Sequence, residues 1–395
     1  MFIRSIVWLL CLSLLSLSTL NSKEQFSNFK DYKLTETEFK LEKIAEDLIY
    51  PWALTFIDNN NLIVTEKPGG LYKINTSTGK KELIKHNIQH INIWQTVNLG
   101  GSSQGGLLDT YFNKTDGLIY FTYSHLKSSK YNQILKSYNK TSNTAIARGK
   151  LVENEIKALE VLFIAKPPQI KNKHFGSRIT IKNNMLYAGL GDRGMGMISQ
   201  DATKHSGSII RIKTNGEIPK DNPKFKGNID WLPEIYQIGV RNSQGITISP
   251  HDGEVYFSNH GPRGGDHIGK VKSGANYGWK HIAWGGSEYS GFRIGEKPFN
   301  KKYDMPLKIW VPSIGISTIK FYTGDVFPEW KGDLLICSLL GKSLIRLDFE
   351  NNKIVGEEII FKDKIGRIRD FEIDKKGNIY LVNDSSNAKL WKLSK

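Results

Sequence analysis

Residues 377–394 read GNIYLVNDSSNAKLWKLS: a glycine turn, a short apolar strand with an aromatic, a polar break and a second strand. The same unit recurs as NNLIVTEKPGGLYKIN from Asn60, GLIYFTYSH from Gly117 and NNMLYAGLGDRG from Asn183. It returns as GEVYFSNHG from Gly253 and GDLLICSLLGKSLIRLD from Gly332. Strands separated by turn signals, repeated without helical periodicity, point to a sandwich, a barrel or a propeller. A large sandwich whose hairpins merely share turn chemistry is the plain alternative. Six copies over nearly the whole chain, with no midchain linker, favour an all-β, six-bladed β-propeller of four-stranded antiparallel blades. In that arrangement FKLEKIAEDL, residues 39–48, supplies a strand that closes the last blade against KLWKLS and removes the exposed edges.

Residues 1–22, MFIRSIVWLLCLSLLSLSTLNS, have one positive charge at Arg4, an apolar run and small residues near the end. This is the layout of a secretory signal, cleaved near Ser18 or Ser22. The run is short for a bilayer span and interrupted by serines, which argues against an anchor. Cys11 lacks the small preceding residue of a lipid-modified cysteine. Removal of the signal leaves residues 23–395 as one domain with Cys337 as its single cysteine, so no internal disulfide forms. The expectation is a periplasmic or secreted protein, not embedded in a membrane, that relies on its core. The net charge of +16 comes from scattered lysines. Nucleic-acid binding normally uses a clustered stripe, and none is present.

Several units end their first strand in unusual polar residues: EKPGG, GDRG, NHGPRGGD and NDSS. On a propeller these ends converge near the central channel. HFGSR, His174 to Arg178, precedes the third unit, and GDRG, Gly191 to Gly194, ends its next strand. Asp192 there could hold the His174 imidazole in one tautomer, as a general base requires; a lone histidine is otherwise an ordinary structural residue. Arg241 and Asn242 of VRNSQG offer a cationic fork and an amide, with a structural salt bridge the equal alternative for Arg241. Arg367 and Arg369 of RIRD point to one strand face. Either an anion sits between them or they face solvent. HGPRGGD, His260 to Asp266, reads as a tight turn or as a backbone-oxygen site for a hard cation.

PWALTF, SQGGLLD, HFGSR, GDRG, VRNSQG, HGPRGGD, GANYGW, FYTGD and RIRD occur in the order found in soluble quinoprotein aldose sugar dehydrogenases. From about Pro51 to the C-terminus the chain resembles this pyrroloquinoline-quinone (PQQ)-dependent glucose/sorbosone dehydrogenase family. The resemblance implies an enzyme with PQQ over the central channel and Ca2+ beside it. It implies His174 as base for the anomeric hydroxyl, hydride transfer from C1 to the quinone C5, and Asp192 and Arg241 as its catalytic neighbours. Gln104, Arg241, Asn242, Tyr289, Tyr322, Thr323, Arg367 and Arg369 match quinone-contacting positions. Gly261 and Pro262 match carbonyl ligands of the catalytic Ca2+, and Tyr277 matches a ligand of a second, structural one. The implied partners are an aldose and an external electron acceptor, for a monomer or homodimer.

The chain departs from the family pattern at His267, where Glu is usual, which weakens or removes the second Ca2+ site. Val240, Ser243 and Ser177 stand where His, Pro and Gly are usual. A metal-dependent propeller lactonase and a non-catalytic glycan- or protein-binding propeller are the competing classes. The first calls for several carboxylate or Asn ligands meeting in the channel, where this chain offers cations. The second predicts loss of His174 or of the arginines, and all are present.

Overall fold

A computed structural model of the chain describes residues 26–27, 33–89, 104–133, 137–224 and 231–395; the signal segment 1–22 lies outside them. Six sheets follow one another along the chain, each built on four antiparallel strands that, in the first five, are consecutive. Blades one to six occupy residues 51–83, 107–164, 176–238, 243–310, 316–362 and 368–394. The sixth takes its fourth strand from the start of the chain: Lys40–Leu48 pairs antiparallel with Ala388–Ser394. The closure anticipated from residues 39–48 is therefore present. Two short strands that the sequence pattern does not reveal, Phe26–Ser27 and Lys33–Leu34, add in parallel to the outer edges of blades four and five.

The ring is held by apolar layers between neighbouring blades. Alternate residues of one strand face opposite neighbours, because side chains alternate across a sheet. Leu334 and Ile336 pack with Tyr256, Ile268 and Trp310 of blade four, whereas Leu335 and Cys337 pack with Phe371 and Leu381 of blade six. Ile63 faces Ile119 and Phe121 of blade two; Leu62 and Val64 face Val382 and Leu390 of blade six. Second strands such as LLICS are buried throughout and largely apolar because both of their faces are covered.

The inner strands line the channel, and a buried ionic cluster ties them together. Arg178 Nη1 donates to Asp109 Oδ1 at 2.7 Å and to Asp370 Oδ2 at 3.2 Å. The carboxylates also accept from the backbone N–H groups of Ile179 and Leu54, so four blades share the cluster. Burial pushes the Asp109 carboxyl up to about 6 against the pull of Arg178. On the far side of the cluster the channel opens into a cavity of 640 Å³ lined by Tyr111, Lys320 and Glu372.

Removing one partner of a buried ionic cluster leaves the others uncompensated. Arg178→Met is expected to destabilise the fold by about 3–5 kcal/mol, read as a lower urea midpoint. An unchanged midpoint would mean that the two carboxylates do not depend on Arg178.

Candidate active site

His174 lies just before the inner strand Gly176–Lys182, and Asp192 just after the next strand, Met185–Leu190. An antiparallel pair brings those two ends together, so the spacing in HFGSR…GDRG becomes direct contact. His174 Nδ1 lies 2.6 Å from Asp192 Oδ1. The loop closes tightly: a Cβ on Gly191 would stand 2.0 Å from the His174 carbonyl oxygen. Only glycine fits there.

Four donors surround the Asp192 carboxylate. Besides His174 these are the Gly194 N–H at 2.7 Å, the Gly196 N–H at 3.2 Å and the Trp279 indole N–H at 2.7 Å. Burial raises the Asp192 carboxyl, but His174, then Arg241 and Trp279, outweigh it and hold the group low. An ionised carboxylate only accepts, so Nδ1 carries the hydrogen and Nε2 keeps its lone pair. Burial pushes the His174 ring down to about 4, against the hydrogen bond to Asp192 that raises it. At neutral pH this imidazole is an uncharged acceptor.

Gln104, Arg241 and Asn242 assemble around the same loop. Gln104 Oε1 accepts from the His174 N–H at 2.8 Å, and Asn242 Oδ1 from the Gly176 N–H at 3.0 Å. Arg241 donates to the His260 carbonyl at 2.7 Å, and its guanidinium lies 5.5 Å from the centre of the Trp279 ring. Its charge also pushes the His174 ring lower. Asp192 takes no salt bridge from Arg241; the backbone joins them instead, from the Asp192 N–H to the Arg241 carbonyl at 2.8 Å.

Arg367 and Arg369 do have an anion between them, and it belongs to the protein. Asp384, from NDSS, lies 2.9 Å from Arg369 Nη2 and 3.5 Å from Arg367 Nη2. Lys67, from EKPGG, reaches the other Asp384 oxygen at 3.2 Å. Burial raises the Asp384 carboxyl, but Arg369 and then Lys67 outweigh it and hold the group far below the carboxylate range. Three cations around one carboxylate leave a surplus of positive charge. Arg369 Nε is buried without a partner.

Gly261 and Pro262 are buried. The Gly261 N–H donates to Asp266 at 2.6 Å, while neither carbonyl oxygen accepts a hydrogen bond among the described residues. Bare oxygens of this kind suit a hard cation. Among the described residues no three His, Cys, Asp or Glu side chains form a metal cluster.

Four of the expected site residues stand apart from the His174 cluster or turn a polar group away from it. Tyr322 and Thr323 follow the inner strand Ile316–Phe321, whose first residue is the one near His260. They lie at its opposite end, where the buried Tyr322 hydroxyl donates to Gly377 O at 2.8 Å. The inner strand's length separates them from His174. Tyr277 lines a small cavity with Gly261 and Pro262, but its hydroxyl donates to Lys270 O at 2.8 Å, at the far end of the strand Asp266–Lys270. The ring stacks on His267. Tyr289 stands at a hairpin with 67% of its surface exposed, and no hydrogen bond or ring contact joins it to the His174 cluster among the described residues.

Lys67, Asp384 and Trp279 complete the site, and their sequence signal is positional: each lies in a polar strand end or in GANYGW.

The model of the glucose/sorbosone dehydrogenase family matches residues 48–392. Aldose sugar dehydrogenase YliI of Escherichia coli K12 is 30% identical over 360 residues, covering 90% of this chain and 92% of that protein. Quinoprotein glucose dehydrogenase B of Acinetobacter calcoaceticus is 27% identical over 296 residues, covering 65% and 57%. The apo crystal structure of the soluble aldose sugar dehydrogenase from Escherichia coli has a TM-score of 0.81 at 28% identity, covering 90% of this chain and 99% of that one. No helix among the described residues is long and apolar enough to cross a membrane.

Two measurements probe the site without turnover. Trp279→Phe removes one donor from Asp192, leaves more negative charge facing the imidazole, and is expected to raise the His174 pKa above about 4, read by 15N NMR titration. No change would detach Trp279 from the pair. Ser177 is buried in the left-handed region at φ 96° with an unpartnered hydroxyl. Ser177→Gly is therefore expected to stabilise the fold by about 1 kcal/mol in chemical denaturation.

Proposed function

The chain belongs to the glucose/sorbosone dehydrogenase family, and from that premise we propose that it oxidises the anomeric carbon of aldose sugars to lactones with PQQ and Ca2+. The observation that carries the reading is the buried, neutral His174 with Nδ1 held by Asp192 and Nε2 left as acceptor. The quinone name of the Acinetobacter relative supports the cofactor.

His174 Nε2 takes the proton of the C1 hydroxyl while the C1 hydrogen leaves as hydride, and the C1–O bond becomes the lactone carbonyl. Asp192 keeps the ring in the productive tautomer and stabilises the imidazolium that forms. Bound PQQ supplies the two-electron acceptor that receives the hydride. Lys67, Arg367 and Arg369, in excess over Asp384, offer the cationic wall for its carboxylates, and the unpartnered Arg369 Nε adds a donor. Arg241 supplies fixed positive charge beside the reacting oxygen. The Gly261 and Pro262 carbonyls would hold Ca2+. We further propose export to the periplasm or beyond after loss of residues 1–22, with residues 23–395 as one domain; cell fractionation and N-terminal sequencing test this.

Protein reconstituted with PQQ and Ca2+ is expected to reduce a redox dye in the presence of aldoses and to lose that activity with a chelator. Absence of sugar-dependent reduction overturns the reading. His174→Ala should lower kcat by about 10²–10⁴-fold with quinone binding retained. A base works only when neutral, and the His174 ring is neutral above its pKa of about 4. The value of kcat/KM should therefore hold through pH 6 and fall as pH drops through about 4. An acid limb near the ordinary imidazole value of about 6.5 would place the base elsewhere.

A further inference from the structure

We propose that the propeller face bearing His174 docks an acidic electron-transfer protein, which removes the electrons of sugar oxidation. The inference rests on the dehydrogenase reading above and goes beyond it in naming the surface and the partner's chemistry.

The two ends of the ring differ in how their exposed charges are paired: away from His174, Asp252 pairs with Lys270 and Glu254 with Lys182. At the end away from His174, hairpin turns are built on aspartates that accept a backbone N–H two residues on. Asp58 accepts from Asn60 at 2.7 Å and Asp116 from Leu118 at 2.9 Å. Asp252 accepts from Glu254 at 3.0 Å and Asp374 from Lys376 at 2.9 Å. Turn chemistry thus seeds that end with carboxylates in four blades. The His174 end carries exposed cations. Lys171 and Lys173 flank the His174 loop, and Arg263 projects from the HGPRGGD loop. Lys171 donates to a backbone carbonyl, Gly194 O, at 2.9 Å. None of these three has a carboxylate within ion-pairing distance among the described residues. Half-exposed Arg367 adds to the rim, with only a long 3.5 Å contact to Asp384.

Large apolar side chains stand exposed on the same end. Met195 and Met197 follow Asp192, with 46% and 47% of their surfaces open. Phe292, 77% open, sits on the Tyr289 hairpin, which is tied to the cation loop through the Arg263 N–H and Ser287 O. Leu340, 66% open, caps the end of Leu334–Ser338 in blade five. Exposed apolar groups on three successive blades, interspersed with cations, have the make-up of a protein-docking surface.

Charge complementarity selects an acidic partner, because a positive rim steers negative proteins and repels positive ones. The chemistry selects an electron carrier. Each sugar yields two electrons and two protons. Two one-electron partners take the electrons in turn, and the protons pass to water. Redox encounters use small interfaces, below about 1,200 Å², so a rim of this kind suffices.

The test uses full-length protein reconstituted with PQQ and Ca2+, with glucose in excess. Plant plastocyanin serves as the acidic one-electron acceptor, mitochondrial cytochrome c as the basic one, and a small dye as reference. The expected result is faster reduction of plastocyanin, falling by about ten-fold as salt rises from low to about 0.2 M. The double variant Lys171→Glu and Lys173→Glu, and separately Phe292→Ala, should slow plastocyanin by about ten-fold while the dye rate stays within about two-fold. Dye reduction accompanied by equal or faster reduction of cytochrome c, or by a plastocyanin rate indifferent to salt and to these variants, overturns the docking proposal alone. Absent dye reduction overturns the dehydrogenase reading and this proposal with it.

Discussion

Every blade is apolar on both faces, so no blade can be stable without a neighbour on each side. That requirement forces the ring to close, and closure rests on the pairing of Lys40–Leu48 with Ala388–Ser394. The pairing places Ala45 and Leu48 in one apolar layer with Leu54, Leu62 and Leu390. It joins the two halves of the chain by main-chain hydrogen bonds and by burial together. A closed ring then sets the inner strands side by side around one channel, with the same end of each blade on the same face.

From this follows the meeting of residues far apart in the chain. Asp192 and Trp279 come from blades three and four, yet one carboxylate binds both the indole and the imidazole. Lys67 of blade one reaches Asp384 of blade six. The result is two electrostatic environments in one mouth. Around His174 the donors are saturated and burial keeps the ring uncharged. Around Asp384 the cations outnumber the carboxylate, so that part of the mouth is prepared for an anion. The mouth thus pairs a neutral imidazole with a surplus of cations.

Much of this was legible in the chain. The repeated glycine turn and aromatic strand identify the blades because burial on both faces demands near-continuous apolar runs. HFGSR and GDRG predict their own contact because a hairpin makes adjacent strand ends neighbours. RIRD announces a need for negative charge. Motif matching does not reveal orientation. FYTGD reads as a site motif, but Tyr322 leaves the inner strand at its far end. Tyr277 keeps its ring near the site while its hydroxyl turns to Lys270.

Sequence alone determined the architecture, the contact of His174 with Asp192 and the cationic character of the mouth, since these depend on local pattern and residue type. Tertiary structure decided that Asp384 is the carboxylate between the arginines, that Trp279 completes the shell of Asp192, and which end of the ring each strand terminus occupies. Those outcomes depend on distances across blade boundaries. Such distances arise only when the ring closes, and no spacing along the chain encodes them.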